Sequence, residues 1–363
     1  YIKVVKVDAE TGKTIPYAGA GFQIYDPAGN KVSMTFTYPT PTTINTFYTD
    51  ADGQLVTPEK LEYGKGYSLV EVQAPYGYVL DSTPVPFDVT EENSTQEGGI
   101  TLIKVDKPNM AQKGTISVEK TGEVFFGVNV FGEKDKDVIY QPVYTVKGLA
   151  GAVYEITADE DIITPDGTLR YHKGDVVDTV TTDDEGFAKS KELYLGKYTV
   201  VEIKAPNGMV INNEKHSVEL TYAGQDVAVT ETVTSFYNER QKVKISLEKV
   251  LEQNDTFGIG KNDEIKNISF GLYAKEDIVS SSGTVIPADG LIEIITLDEN
   301  GTAIANTDLP FGSYYIKEIA TDEHYILSDI QYPFTFEYAG QDTETVEIKV
   351  NDSKPIENKL IYG

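Results

Sequence analysis

The sequence of 363 residues contains no cysteine and only three histidines. Without cysteine, the protein has no disulfides, no Cys-ligated zinc and no thiol chemistry. The histidines, His172, His216 and His324, lie far apart without ligand-like spacing, so we expect no metal and no other cofactor. Walker, Gly-x-Ser-x-Gly and His-Glu-x-x-His motifs are also missing, so we do not expect an enzyme.

Long apolar runs and basic residues are both scarce. No run approaches the roughly 20 apolar residues of a membrane-spanning helix, so we expect no membrane insertion of this segment. Only 31 Lys and Arg oppose 58 Asp and Glu, which gives a formal net charge of -27. This charge argues against nucleic acid or an anionic membrane surface as a partner.

The residues that are abundant point to β-structure. Tyrosine occurs 24 times and glycine 31 times, threonine is frequent, and no long pattern with a helical period appears. These features are typical of an all-β protein. The length predicts two or three domains.

One stretch, an alternating strand with a central glutamate, occurs three times. In each copy a tyrosine lies four residues before the glutamate, and a large apolar or aromatic residue lies seven after it. The first two copies continue into an Ala-Pro-x-Gly turn, which the third lacks. The copies run from Tyr67 through Glu71 to Tyr78, from Tyr198 through Glu202 to Met209, and from Tyr314 through Glu318 to Tyr325.

Other landmarks recur in the same order around each glutamate. An Asp-x-x-Gly turn and a small-residue strand opening precede it, and an alternating strand that carries a lysine comes first. A final strand ends in Asp or Asn, and Tyr-Ala-Gly-Gln-Asp precedes that strand in the last two copies. We therefore predict three tandem β-sandwiches of about seven strands each, forming an elongated rod, with boundaries at 1–112, 113–240 and 241–363.

Each unit thus supplies a lysine, a glutamate and an Asp or Asn. First and last strands of a sandwich often lie side by side, which would bring the lysine and the amide or acid together. Burial lowers the pKa of an amine and raises that of a carboxyl group. A neutral amine can attack a side-chain carbonyl carbon while a carboxyl group moves protons, so the triplets predict isopeptide cross-links.

The landmarks resemble the Cna B-type or SpaA-like domains of Gram-positive surface proteins and pilins. The resemblance rests on Tyr-x-Leu-x-Glu-x-x-Ala-Pro-x-Gly-Tyr in unit one and on Lys6-Val-Asp8-x-x-Thr11-Gly12 followed by Gly-Ala-x-Phe. It implies autocatalytic cross-links in which the glutamates Glu71, Glu202 and Glu318 are catalytic. It further implies the bonded pairs Lys6–Asp106, Lys120–Asn238 and Lys249–Asn351.

Three alternatives remain open at the level of sequence. Asn109 competes with Asp106, since most family members carry Asn there, and Lys3 competes with Lys6. In unit three, Asn358 competes with Asn351, and Ala320-Thr-Asp-Glu replaces the Ala-Pro-x-Gly turn.

The resemblance implies a structural stalk or shaft segment of an extracellular, wall-anchored adhesin or pilin. We expect the signal peptide and anchor to lie outside this sequence and other pilin or adhesin domains to be partners. The alternative is an adhesin module that binds a host matrix protein or glycan through the insertions 35–47 or 122–148. Such an insertion could equally be an extra hairpin that packs on a neighbouring domain. Accessory domains of a secreted enzyme are a further alternative.

Overall fold

A computed structural model describes residues 1–132 and 138–361. Nearly all regular structure in these residues is β-strand, as predicted, and a single short 3-10 helix, Glu264–Asn267, lies in unit three. No helix among the described residues has the length and apolar character needed to cross a bilayer.

The strands are numbered in chain order. Unit one holds β1 (Ile2–Asp8), β2 (Gly21–Tyr25), β3 (Met34–Phe36), β4 (Thr42–Ile44), β5 (Phe47–Tyr48), β6 (Gln54–Val56), β7 (Gly64–Gln73), β8 (Val85–Val89), β9 (Thr95–Glu97) and β10 (Ile100–Asn109). Unit two holds β11 (Lys113–Phe131), β12 (Ile139–Gly148), β13 (Val153–Ala158), β14 (Ile162–Ile163), β15 (Leu169–Tyr171), β16 (Val176–Thr181), β17 (Phe187–Lys189), β18 (Leu193–Tyr194), β19 (Gly196–Lys204), β20 (Lys215–Leu220) and β21 (Val229–Asn238). Unit three holds β22 (Lys242–Leu251), β23 (Ser269–Ala274), β24 (Ile278–Val279), β25 (Val285–Ile286), β26 (Leu291–Thr296), β27 (Thr302–Ile304), β28 (Gly312–Ala320), β29 (Gln331–Phe336), β30 (Thr345–Lys349) and β31 (Ile356–Asn358).

Each unit has two principal sheets. In unit one the sheets have the orders β6-β1-β10-β9 and β5-β2-β7-β8. The first strand pairs in parallel with the last, and the glutamate strand β7 lies inside the opposite sheet. Units two and three repeat this plan, with β11 beside β21 and β22 beside β30 and β31. The lysine and glutamate strands therefore belong to opposing sheets, as the prediction of β-sandwiches requires.

Three large apolar clusters lie within the units. Residues of both sheets contribute to each cluster, because alternate residues of a strand point to the same face. The unit-two strand β13 shows this clearly, since Tyr154 and Ile156 are buried while the residues preceding them, Val153 and Glu155, are partly exposed. The predicted domain boundaries are compatible with these clusters and stay predictions.

The Asp-x-x-Gly turn places its glycine against the strand that carries the lysine. In unit two, Asp183 Oδ1 accepts from the backbone N–H of Phe187, and the Lys120 N–H donates to the carbonyl of Gly186 over 2.7 Å. Gly53 and Gly301 accept from the lysine N–H groups of the other two units in the same way. The turn therefore fixes the backbone on which the buried lysine is mounted.

Most of the insertion 122–148 forms a long hairpin between β11 and β12 that packs on unit three. Its residue Ile139 pairs with Leu291 of β26, and Phe125 and Val128 pack against the core of unit three. Residues 133–137 of this insertion lie outside the described residues. The hairpin thus behaves as a packing element between neighbouring units.

The insertion 35–47 lies on the surface of unit one. Strands β3 and β4 form a short hairpin of their own, and Tyr38 at its tip is 87% exposed. The proposal of a ligand-binding insertion depends mainly on this hairpin and stays a prediction.

We predict that Gly186→Ala destabilises unit two by about 3 kcal/mol or more, since backbone strain adds to a clash. Gly186 has φ of +87°, and a Cβ there would lie 2.3 Å from the carbonyl oxygen of Lys120. Gly151→Ala is the matched control, because Gly151 has φ of +85° but no atom within 4 Å of its Cβ position. Calorimetric unfolding of both variants checks this, and equal midpoints would contradict it.

Candidate isopeptide site

A shared strand register brings a lysine and an asparagine together in every unit. In each parallel pair, the asparagine lies two residues beyond the residue opposite the lysine. Side chains two apart in a strand share a face, so both groups point into the sandwich. The opposed residues are Lys6 and Lys107 in unit one, Lys120 and Phe236 in unit two, and Lys249 and Ile356 in unit three.

In unit one the glutamate carboxylate lies between the amine and the amide. Lys6 Nζ donates to Glu71 Oε2 over 2.8 Å and to the carbonyl of Lys107 over 2.8 Å. Asn109 Nδ2 donates to Glu71 Oε1 over 2.6 Å and to the carbonyl of Val79 over 2.7 Å. The three side chains are almost completely buried.

Unit two repeats the arrangement. Lys120 Nζ lies 3.0 Å from Glu202 Oε2, but this ion pair lacks hydrogen-bond geometry, and the buried amine has no other hydrogen-bond partner. Asn238 Nδ2 donates to Glu202 Oε1 and to the carbonyl of Val210, each over 2.7 Å. The hydroxyl of Tyr154 donates to Glu202 Oε2 over 3.2 Å, a contact that a phenylalanine cannot make.

Unit three has the same three residue types in a slightly different arrangement. Lys249 Nζ contacts Asn358 Oδ1, and Asn358 Nδ2 donates to Glu318 Oε1 over 2.6 Å. The second acceptor of this amide is Thr321 Oγ1, at 3.1 Å, rather than a backbone carbonyl. The amine therefore lies directly against the amide oxygen.

The hydrogen bonds fix the orientation of the first two amides. Each Nδ2 has two acceptors, and a flipped amide would place Oδ1 against the same two oxygens. Oδ1 of Asn109 and of Asn238 consequently has no hydrogen-bond partner although it is buried. A buried, unpartnered carbonyl oxygen is costly and marks these amides as unusual.

Burial makes the three amines easier to deprotonate. Loss of hydration lowers the pKa of Lys6 to about 8 and that of Lys249 to about 8, although the neighbouring glutamates act in the opposite direction. The pKa of Lys120 is also lowered by burial. An amine with a lowered pKa has a larger neutral, nucleophilic fraction near physiological pH.

A buried aromatic ring lies beside each lysine, at a position that the sequence pattern did not mark as part of the site. The amines lie 5.6 to 5.7 Å from the ring centroids of Phe22, Tyr154 and Phe270. The ring belongs to the repeated small-residue strand opening. The recurrence of an aromatic residue at this position in all three units could have indicated that it is part of the site. It lines the lysine side of the site with apolar surface and keeps water away from the amine.

A backbone segment, which we call the strap, follows each glutamate strand. In unit one the strap is residues 78–81. The carbonyl of Val79 accepts from Asn109 Nδ2, and the Asp81 N–H donates to Glu71 Oε1 over 3.3 Å. In the strap of unit two, residues 209–212, Val210 and Asn212 make the corresponding contacts with Asn238 and Glu202. The strap therefore positions both the carboxylate and the amide.

The predicted partner Asp106 lies outside the cluster of unit one, and Asn109 lies at the position expected for it. Asp106 is exposed on β10, because residues at odd distances along a strand point to opposite faces. Lys3 likewise lies outside the cluster and pairs with Glu97 near the surface, whereas Lys6 is fully buried.

Asn351 in unit three is also not part of the cluster. The chain leaves the ladder after β30, and three consecutive residues from Asn351 to Ser353 adopt positive φ. It rejoins β22 as β31, with a register four residues further along, and this places Asn358 beside Lys249. The side chain of Asn351 instead donates within its own turn, to the carbonyls of Lys354 and Pro355.

The family comparison identifies the repeated unit. The model of the SpaA prealbumin-like fold domain matches residues 1–104, 142–234 and 256–354. The chain belongs to the SpaA prealbumin-like domain family. Its three matched segments contain the glutamates Glu71, Glu202 and Glu318, whereas the clustered asparagines follow each segment.

Individual relatives are similar over parts of their length. The trypsin-resistant surface T6 protein of Streptococcus pyogenes is 28% identical over 139 residues, or 37% of this chain and 24% of that protein. The TIE protein of Bacillus anthracis has a TM-score of 0.52 at 22% identity, with 99% of this chain and 50% of that chain covered. BcpA, the major pilin subunit of Bacillus cereus, has a TM-score of 0.31 at 16% identity, with 99% of both chains covered. This SpaA-type chain thus spans half or less of the first two relatives.

We predict that Lys120→Met destabilises unit two by about 3–5 kcal/mol, because Glu202 is left as an unpaired buried charge. Adding Glu202→Gln should recover part of that loss, since the neutral amide still accepts from Asn238 and donates to the Tyr154 hydroxyl. Both variants lack the Lys120 amine, so the difference between their unfolding temperatures reports only the effect of the charge at residue 202. A double variant no more stable than the single one would contradict this account.

Proposed function

We propose that the chain is a structural shaft segment of a Gram-positive surface protein or pilin, in which each unit forms its own Lys–Asn isopeptide bond. The observation that carries this proposal is the threefold recurrence of an amine, a carboxylate and an amide in one buried cluster. The bonded pairs are Lys6–Asn109, Lys120–Asn238 and Lys249–Asn358, and the glutamates act on their own chain only.

The contacts in unit one suit a proton transfer across one carboxylate. Glu71 Oε2 accepts a proton from the Lys6 ammonium, and the neutral Nζ attacks Cγ of Asn109. The C–Nδ2 bond then breaks as Glu71 Oε1 returns a proton to Nδ2, which leaves as ammonia. Nζ then gives a second proton to Glu71, which ends protonated, and the new amide joins Nζ to Cγ. The net change is the loss of one ammonia.

The interior of the sandwich supports this reaction in two ways. Strand pairing holds the amine and the amide next to each other before the reaction. The entropy cost of bringing them together is therefore already met by folding and does not add to the reaction barrier. Burial of the cluster also keeps bulk water from competing with the amine and strengthens the electrostatic effect of the carboxylate. No cofactor has a part in this scheme.

The bond would supply a chain constraint that a protein without cysteine otherwise lacks. It closes a loop of roughly 100 residues, for which chain-entropy models give about 4–5 kcal/mol. Because the bond joins the first strand to the last, tension applied along the chain passes from one to the other through a covalent link. A shaft that holds a cell to a surface needs this property.

Relationship to surface proteins supports an extracellular location. Similar proteins include a streptococcal surface protein and a Bacillus pilin subunit. On this proposal the partners are other pilin or adhesin domains, and wall anchoring depends on parts of the protein beyond this segment.

We predict that the intact mass of the full chain is lower than the sequence mass by three molecules of ammonia. Asn109→Ala and Asn358→Ala should each reduce the deficit to two, since each removes one leaving group. The matched controls are Asp106→Ala and Asn351→Ala, which change residues that the sequence predicted as partners but that lie outside the clusters. Both controls should keep the full deficit of three ammonia molecules. Mass spectrometry checks all four, and an undiminished sequence mass of the unaltered protein would refute the proposal.

We further predict that Glu202→Gln prevents the bond of unit two only, because glutamine keeps the size of the side chain but cannot accept the lysine proton. The mass should rise by one ammonia, and unit two should become more sensitive to protease. Glu219→Gln, an exposed residue on the neighbouring strand, is the control. Retention of the Lys120–Asn238 linked peptide in Glu202→Gln would show that the glutamate is dispensable.

A further inference from the structure

The repeated sequence Tyr-Ala-Gly-Gln-Asp forms a contact that recurs at both junctions between consecutive units. It lies at residues 222–226 in unit two and 338–342 in unit three, and unit one has no copy. We call these two segments the docking loops. Each one reaches back to the unit that precedes it.

The first docking loop binds the strap of unit one. The hydroxyl of Tyr222 donates to the carbonyl of Tyr78 over 2.6 Å, and the Leu80 N–H donates to the carbonyl of Gln225 over 2.9 Å. The Ala74 N–H donates to the side-chain oxygen of Gln225 over 2.8 Å.

The second docking loop makes the same three contacts with unit two. The hydroxyl of Tyr338 donates to the carbonyl of Met209 over 2.5 Å, and the Ile211 N–H donates to the carbonyl of Gln341 over 2.9 Å. The Ala205 N–H donates to Gln341 Oε1 over 2.8 Å. The contact is therefore a repeated element and not an accident of one junction.

A buried glutamine directly before the first strand of each later unit holds the loop in shape. Gln112 Nε2 donates to the carbonyls of Gly224 and Val227, and Gln112 Oε1 accepts from the Ala223 N–H. Gln241 makes the same three bonds to the second docking loop. Both glutamines are almost fully buried, so their side chains have no water to replace these bonds.

The strap alternates between the docking loop and the reactive cluster. In unit one, Tyr78 and Leu80 bind the docking loop, whereas Val79 binds Asn109 and Asp81 binds Glu71. Unit two shows the same alternation over residues 209–212. Contacts with the next unit therefore hold two residues of each strap, and the residues next to them in the chain hold the amide and the carboxylate.

Unit three provides an internal comparison, because no docking loop in the described part of the chain covers its strap, residues 325–328, in which the Ser328 N–H donates to Glu318 Oε2 over 3.2 Å. Ile326 and Leu327 of that strap are 53% and 52% exposed. There, Asn358 Nδ2 uses Thr321 Oγ1 as its second acceptor, whereas the first two units use a strap carbonyl. The cluster thus differs in the unit whose strap is uncovered.

We infer that each docking loop is a positioning element for the isopeptide site of the preceding unit. Docking of unit two promotes bond formation in unit one, and docking of unit three promotes it in unit two. This inference rests on the proposed function, because it concerns the rate of the proposed bond. Tyr222, Gln112, Tyr338 and Gln241 are positioning residues, since none of them touches the reacting atoms.

The test measures each bond separately while the full chain is synthesised in a cell-free system. Samples are denatured at intervals and digested, and linked peptides containing Lys6–Asn109 and Lys120–Asn238 are quantified by mass spectrometry. Gln112→Ala should slow the unit-one bond by about tenfold to a hundredfold, as small displacements of reacting groups do. Gln241→Ala should slow the unit-two bond instead, so each variant is the control for the other.

Tyr222→Phe and Tyr338→Phe repeat the comparison with the loss of a single hydroxyl, which leaves folding intact. Tyr222 belongs to unit two, so a merely structural role would affect the bond of unit two, whereas a positioning role slows the bond of unit one by about fivefold. Unchanged unit-one rates in both Gln112→Ala and Tyr222→Phe would overturn the inference and leave the proposed function standing. Absence of linked peptides from the unaltered chain would instead overturn the proposed function.

Discussion

Each unit depends on one buried carboxylate that shares the interior of the sandwich with an amine and an amide. Burying these three groups is expensive, and the cost is offset only if each charge and each hydrogen-bonding atom has a partner. Glu71 meets this condition in unit one by accepting from Lys6, Asn109 and the strap together. The surrounding strands, turns and straps can be understood as the structure needed to hold that carboxylate in place.

Repetition made the glutamates and lysines predictable from the sequence. A polar residue in an alternating apolar strand is ambiguous in one copy, but Glu71, Glu202 and Glu318 share their context three times. The asparagines were harder, because their side-chain direction depends on strand parity. A shift of three residues from Asp106 to Asn109 exchanges the outer face for the core, and spacing along the sequence does not record that change.

Unit three shows a second limit of sequence reasoning. The positive φ angles of Asn351, Asp352 and Ser353 interrupt its last strand and shift the register by four residues. Asn351, Asp352 and Ser353, followed by Pro355, are residues typical of a turn, but they do not indicate that the strand resumes four residues out of register. The contacts between units were equally hard to predict, since Gln112 and Gly224 lie more than 100 residues apart in the sequence and meet only in the folded chain. Tyr-Ala-Gly-Gln-Asp was visible as a repeat, but its role depends on that folding.

The constraint at the carboxylate also explains why the units are joined so closely. A strap of four residues has two edges, and its alternating backbone groups serve the cluster on one side and the next unit on the other. Because neighbouring residues of one short segment orient the amide and secure the junction, movement at the junction would disturb the site, and movement at the site would loosen the junction. A chain with net charge -27 and no disulfides thereby obtains inter-unit order from directional backbone contacts, together with the ion pairs Arg170–Asp8 and Arg240–Asp308 across its two junctions.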